Sequence, residues 1–162
     1  MVDNERKATM DKKKVLFLCT GNYYRSRYAE ELFNHWARRD GAAWSATSGA
    51  LAIERGAQNE GPISQLVVSA LNADGISIPY PRHPQSCETL DEASIVIALD
   101  ESEHRDIVKL KFSEWDNRIT YWHVHDVGLT HPSDALAQIK TLVESLYKEI
   151  TSPERSVSGE ER

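Results

Sequence analysis

Cys19 and Arg25 stand six positions apart in Cys19-Thr20-Gly21-Asn22-Tyr23-Tyr24-Arg25-Ser26, directly after the apolar run Val15-Leu16-Phe17-Leu18. Five residues between a cysteine and an arginine make a loop that can wrap one tetrahedral oxyanion. Its backbone N–H groups turn inward, the sulfur lies beneath and the guanidinium closes the ring. A helix starting at the arginine adds its unpaired N–H groups and its positive end. Such surroundings favour a thiolate, and a thiolate at the base of a phosphate-sized loop is aimed at phosphorus. Arg25 offers two equatorial oxygens a planar fork that lysine lacks. Gly21 lets the backbone approach the anion closely, and Asn22 tolerates a left-handed conformation while its amide ties the loop down. The Ser26 hydroxyl, next to the arginine, is placed to donate to the sulfur and ease its departure. Thr20, Tyr23 and Tyr24 complete the loop. A cysteine ending a buried strand is most often only a small hydrophobe. Here the strand before it, the glycine within and the helical pattern after it favour the catalytic reading.

Positioning these groups is the task of the surrounding elements. Val15 to Leu18 reads as a short buried parallel strand. Tyr28, Ala29, Leu32, Phe33, Trp36 and Ala37 recur at helical spacing, and Gly41 is set to stop that helix. Trp44 to Ser48 reads as a second strand, with an irregular loop from Gly49 to Gly61. Ile63, Leu66, Val67, Ala70 and Leu71 mark a second helix ending near Gly75. Ser94 to Leu99 is expected as a third strand, Glu101 to Leu110 as a charged helix and Arg118 to Val124 as a fourth strand. Leu136, Ile139, Leu142, Val143, Leu146, Tyr147 and Ile150 form the stripe of a last helix, with Pro132 and Ser133 placed to start it. Strands alternating with helices imply an α/β fold with a parallel sheet and helices on both faces. Ligands of such folds sit at the C-terminal ends of strands, where the Cys19–Arg25 loop leaves the first one.

The composition narrows the function. The chain of 162 residues suits one domain, expected over 14–150, with polar tails at 1–13 and 151–162 that lack the composition to order themselves. A net charge of −6 argues against nucleic acid as partner, and no run approaches the roughly 20 apolar residues of a membrane helix. Met1 to Lys14 is charged and does not read as a secretory signal. Two cysteines, Cys19 and Cys87, make no disulfide framework and point to a reducing cytoplasm. His123 and His125 would share a strand face near Asp126, but no further ligand follows at metal-binding spacing, so no metal is expected.

The segment from Cys19 to Ser26, with Ala29-Glu30 after it, resembles the low-molecular-weight protein tyrosine phosphatase family, whose signature is Cys-x-Gly-Asn-x-x-Arg-Ser. Ser48-Gly49-Ala50 is similar to the family segment whose serine braces the loop asparagine, and Leu99-Asp100-Glu101-Ser102 to its Met-Asp-Glu-Ser stretch. The resemblance spans about residues 14 to 150. It implies a three-layer fold with a four-stranded parallel sheet in flavodoxin-like order 2-1-3-4. The implied reaction is hydrolysis of a phosphotyrosine protein or small aryl phosphate through a cysteinyl-phosphate, without metal or organic cofactor. Cys19 would be the nucleophile, Arg25 the phosphate ligand, and Asn22, Ser26 and Ser48 the loop supports. Such chemistry needs a proton donor for the leaving oxygen. The family uses the aspartate of an Asp-Pro pair before the last helix, which here reads Asp126-Val127, so Asp126 is the candidate acid and Asp134 the fallback.

Other departures bear on substrate. Tyr24 stands where many family members carry a second loop cysteine. The aromatic wall of the phosphotyrosine slot falls near Ile53 or Glu54, leaving Tyr23 as the nearest aromatic. Two alternatives follow. One is a phosphate-binding module with weak or no turnover. The other is an arsenate reductase with Cys87 as a lone resolving thiol, although relays of that type use two further cysteines.

Overall fold

The structure, a computed structural model, describes residues 13–126 and 131–152. Val127, Gly128 and Leu129 and nearly all of both expected tails lie outside the described residues. Within them, β1 (Lys13–Cys19), α1 (Arg25–Asp40), β2 (Trp44–Ala50), α2 (Gln65–Ala73), β3 (Ile95–Ala98), α3 (Glu101–Lys111), β4 (Thr120–Tyr121) and α4 (Pro132–Thr151) follow one another. Single 3-10 turns occupy Ile53–Gly56 and Ser113–Trp115. Lys13 and Thr151, expected in the tails, are the first residue of β1 and the last of α4. The ladder reaches back to Lys13 through its N–H to the Ala43 carbonyl (3.1 Å), and Thr151 bonds the Tyr147 carbonyl (2.6 Å).

All strand pairings are parallel, in the order β2-β1-β3-β4 expected from the sequence. The side-chain alternation of β1 builds the layers. Val15, Phe17 and Cys19 face the cluster made with α1, α2 and α4, whereas Leu16 and Leu18 face the one made with α3 and Trp115. Phe17, Phe33 and Tyr147 stack edgewise in series at 6.4 and 5.3 Å. The Tyr147 hydroxyl donates to the Trp36 carbonyl (3.0 Å) and Asp40 (2.7 Å), locking α1 against α4. Each buried aromatic contributes on the order of 1.5–3 kcal/mol relative to exposure. That packing aims the first turn of α1 at the end of β1. Gly41 closes α1 in the left-handed conformation (φ 62°), as its sequence position predicts.

The fourth strand departs from expectation: Arg118 to Val124 reduces to Thr120–Tyr121. Its neighbour β3 stops at Ala98, where the chain turns to cap α3, so only two residues find a parallel partner. Upstream, the N–H groups of Arg118 and Ile119 already donate to the Trp115 carbonyl (2.8 and 3.1 Å). Downstream, His123 pairs antiparallel with Asp100, and the Val124 N–H reaches the Leu99 carbonyl (2.8 Å). The loop expected over 49–61 contains the turn Ile53–Gly56, whose Arg55 N–H bonds the Ala52 carbonyl (3.0 Å). His131 caps α4, its ring nitrogen accepting from the Ser133 N–H (3.2 Å), and Pro132 takes the first helical position as expected.

Beyond β2, the segment 85–87 adds a short parallel bridge, Ala50 to Ser86. A side chain on Gly49 would meet the Cys87 Cβ at 2.9 Å and its Cα at 3.3 Å. Gly49→Ala is therefore expected to destabilise the protein by about 1–3 kcal/mol, read as a lower urea midpoint at unchanged slope. An unchanged midpoint would mean that the 85–87 segment yields freely.

Candidate active site

The Cys19–Arg25 loop turns through Asn22, the non-glycine residue with positive φ (53°) among the described residues. Asparagine bears this conformation better than most residues, because its short amide can bond locally. Here the amide is saturated: Nδ2 donates to Ser26 Oγ (2.9 Å) and Ser48 Oγ (2.8 Å), while Oδ1 accepts from Arg82 Nη1 and the Gln85 N–H (both 3.0 Å). Asn22 is completely buried. These bonds join the loop, the start of α1, the end of β2 and the 82–85 segment at one point. Asn22, Ser26 and Ser48, singled out from sequence, thus meet directly. Ser26 Oγ also lies 2.9 Å from Cys19 Sγ. The α1 terminus has Tyr24 as cap residue with no side-chain cap, which leaves its first N–H groups without that partner.

Arg25 is buried beside the sulfur. Its Nη1 donates to the Val124 carbonyl (2.9 Å) and its Nη2 to Glu103 (2.7 Å), leaving Nε–H and further Nη protons for an oxyanion. Burial opposes the guanidinium charge, but Cys19, Glu103 and Asp126 outweigh it and raise the pKa. Glu103 also accepts from the Thr20 hydroxyl. Buried His104 completes the cluster. Its Nδ1 accepts from the Asp100 N–H (3.1 Å), so Nε2 carries the proton and faces Glu103 Oε2 at 3.0 Å. Burial disfavours the Glu103 charge, yet its bonds from His104, Arg25 and Thr20 hold the carboxyl well below its ordinary range. A depressed carboxyl contributes stability above its unfolded pKa and loses it as pH falls toward the folded one. This cluster therefore weakens only in acid.

Above the sulfur opens a cleft of about 370 Å³. Cys19 and Arg25 lie at its base, Tyr23 and Leu66 form apolar walls, and Arg55, Asn59 and Asp126 line it as well. Asp126 Oδ1 is 4.0 Å from Arg25 Nη2. Asp134 does not line the cleft and serves the first turn of α4. From the 3-10 turn, Arg55 lines the cleft, whereas Ile53 and Glu54, near which the wall was expected, do not. Tyr24 lines the cleft, and its hydroxyl donates to the Pro132 carbonyl (3.2 Å). Among the described residues, no group of three or more His, Cys, Asp or Glu side chains is arranged to hold a metal ion.

Cys87 stands apart from this site. Cys19 pairs with Ala50 and Ala50 with Ser86, so two strand spacings of about 4.8 Å separate Cys19 from the segment carrying Cys87. Disulfide formation needs Cα atoms within roughly 7 Å. Burial further pushes the Cys87 thiol up to about 11, which starves it of thiolate. The geometry thus argues against a resolving thiol.

Sequence reasoning passed over three residues. Arg82 ties Asn22 to Glu30 Oε1 (2.9 Å) and Ser48 Oγ (2.9 Å); Glu103 holds Arg25; fully buried Arg27 bonds the carbonyls of Asn22 (3.3 Å), Pro62 (2.9 Å) and Arg82 (2.7 Å). A usable signal existed only for Arg82, a lone cation between Pro81 and Pro84 in a segment that must cross the loop. Arg82→Met is expected to weaken inorganic phosphate or vanadate binding about tenfold and to cost roughly 1–3 kcal/mol of stability. Arg82→Lys restores only part of the affinity, since one ammonium cannot span Asn22, Glu30 and Ser48 together. Calorimetric titration reads both, and unchanged affinity in the methionine variant would show that the loop holds its shape without this brace.

The sequence model of the family described as low molecular weight phosphotyrosine protein phosphatase matches residues 14–158. A protein-arginine-phosphatase of Bacillus subtilis (strain 168) is 28% identical over 105 residues, covering 65% of this chain and 67% of that protein. Among solved structures, a low molecular weight protein tyrosine phosphatase from T. tengcongensis superposes with a TM-score of 0.70 at 25% identity, covering 85% of this chain and 99% of its own. YfkJ from Bacillus subtilis gives a TM-score of 0.72 at 25% identity, covering 85% and 94%. The chain belongs to the low molecular weight phosphotyrosine protein phosphatase family, a family of phosphoric monoester hydrolases.

Proposed function

We propose that this phosphatase acts by nucleophilic catalysis at Cys19 on an aryl phosphate ester, the phosphotyrosine of a protein being the natural candidate. The observation that carries the reading is that Cys19, Arg25 and Asp126 line one cleft. The loop amides and the Arg25 fork bind the phosphoryl oxygens and stabilise the charge that develops on them. Cys19 sulfur attacks phosphorus as the bond to the leaving oxygen breaks, and Asp126 delivers its proton to that oxygen. Water then attacks the cysteinyl-phosphate. Asp126 takes up the water proton and the P–S bond breaks, releasing inorganic phosphate and regenerating Cys19, with Ser26 donating to the departing sulfur. Tyr23 and Leu66 flank the leaving aryl ring. The scheme requires no metal or organic cofactor. Two free thiols, Cys19 and Cys87, support a reducing, cytoplasmic setting, and residues 14–150 are proposed as the catalytic domain.

The test is hydrolysis of an aryl phosphate by wild type, Cys19→Ser and Asp126→Asn. The serine variant is expected to lose all measurable turnover, and the asparagine variant about 10²–10⁴-fold with phenyl phosphate. If wild type binds vanadate but releases no phosphate, a phosphate-binding module is the better reading.

Phosphoarginine is the second substrate to consider, because one matched relative is a protein-arginine-phosphatase. Arg55 at the mouth of this cleft disfavours the cationic phosphoguanidino group and leaves a neutral aromatic ring unopposed. Phosphotyrosine peptides are therefore expected to be hydrolysed faster than phosphoarginine peptides of the same sequence. The reverse order, made stronger by Arg55→Ala, would reassign the substrate.

A further inference from the structure

The stretch from Trp122 to His125 is stitched to the start of α3 residue by residue. The Glu101 N–H donates to the Trp122 carbonyl (2.8 Å), His123 pairs with Asp100, and the Val124 N–H donates to the Leu99 carbonyl (2.8 Å). The last stitch is made by side chains: His125 Nδ1 lies 2.9 Å from Asp100 Oδ2. Asp100 is a rigid anchor. It is 1% exposed, caps α3, and its other oxygen accepts from the Ser102 hydroxyl (2.9 Å) and the Ser102 N–H (3.3 Å). Its own N–H is held by His104, the ring that also meets Glu103 and, through it, Arg25. The residue after His125 is Asp126, and the one after that is Val127, which does not restrict φ as a proline would. A fixed point lies just before Asp126, at the contact between His125 and Asp100.

We propose that His125 is a positioning residue for Asp126: its bond to Asp100 anchors the loop so that the Asp126 carboxyl reaches the leaving oxygen. The proposal rests on Asp126 being the acid of the reading above. It also accounts for a half-exposed histidine spending its Nδ1 on a buried carboxylate instead of water. One turn of α3 then sets both partners of the transition state. Glu103 orients the cation that binds the phosphoryl group, and Asp100, through His125, orients the acid that serves the leaving group.

A misplaced acid has a signature that a general loss of structure lacks. Leaving groups that are poor bases need no proton, whereas basic ones do. The experiment compares kcat/KM, which reports formation of the cysteinyl-phosphate, for 2,4-dinitrophenyl phosphate and phenyl phosphate in the full chain. His125→Leu is expected to lose about tenfold on phenyl phosphate and less than about twofold on the dinitrophenyl ester. His125→Asn, whose Nδ2–H occupies the place of Nδ1–H, should recover activity on phenyl phosphate to within about threefold of wild type. In an Asp126→Asn background, His125→Leu should cost nothing further on phenyl phosphate. Equal losses on both esters, no loss on either, or failure of His125→Asn to recover the phenyl ester would each overturn the proposal. If Asp126→Asn itself shows no dependence on the leaving group, the acid assignment falls first and the anchoring role with it. That outcome differs from one in which Asp126 behaves as an acid and His125 does not matter.

Discussion

A single left-handed residue carries the architecture of the site. The loop after β1 encircles an anion only if the chain reverses at Asn22, at φ 53°, a conformation that costs an ordinary residue of order 1 kcal/mol or more. The cost is offset where the amide finds all its partners, and Asn22 finds four, spread over the start of α1, β2 and the 82–85 segment. Two of these partners are themselves held: Ser48 bonds Glu30, and Arg82 bonds both of them. Sheet register, the α1 start and the 82–85 crossing are thereby coupled to one amide. Small shifts in any of them reach the sulfur through Ser26.

Charge is managed by a second, separate cluster. Arg25 is almost wholly removed from water, where an unpaired guanidinium would be costly. Glu103 supplies the countercharge, and its position in the first turn of α3 is one that the helix dipole favours for an anion. The same turn presents Asp100 as cap and His104 as a buried bridge. One helix end therefore serves as a platform for the groups on one side of the cleft, while Asn22 organises those on the other. Arg27 adds a third kind of support, a buried cation bonded only to carbonyls among its hydrogen-bond partners, which pins the Pro62 and Arg82 segments against the loop.

The mouth of the cleft is where this chain differs most from the expectation built on its family resemblance. Tyr23 and Leu66 supply apolar surface, and Arg55, two residues after Ile53, lines the cleft where Ile53 and Glu54 do not. A single 3-10 turn in a loop that carries no hydrophobic period supplies that side chain.

The sequence by itself determined which residues share the loop after β1 and the layered fold around it. Cys19, Gly21, Asn22, Arg25 and Ser26 fall within one stretch from Cys19 to Ser26, so their proximity follows from spacing alone. The apolar run of β1 and the 3.6-residue stripes of α1 and α4 announce buried elements because period and burial are directly linked. Contacts between distant segments were decided only by tertiary structure. Glu103 and Arg82 look like surface charges in a string of letters, and become partners of Arg25 and Asn22 once parallel pairing brings the ends of β1, β2 and β3 together. The fourth strand reads as seven residues and forms as two, since a strand lasts only as long as its neighbour, and Ala98 ends that neighbour. Cys87 was eliminated as a partner for Cys19 by the sheet, which inserts β2 between them. Periodicity is a local property that a sequence displays. Pairing across 30 to 80 residues depends on which strand lies beside which, and only the assembled sheet determines that.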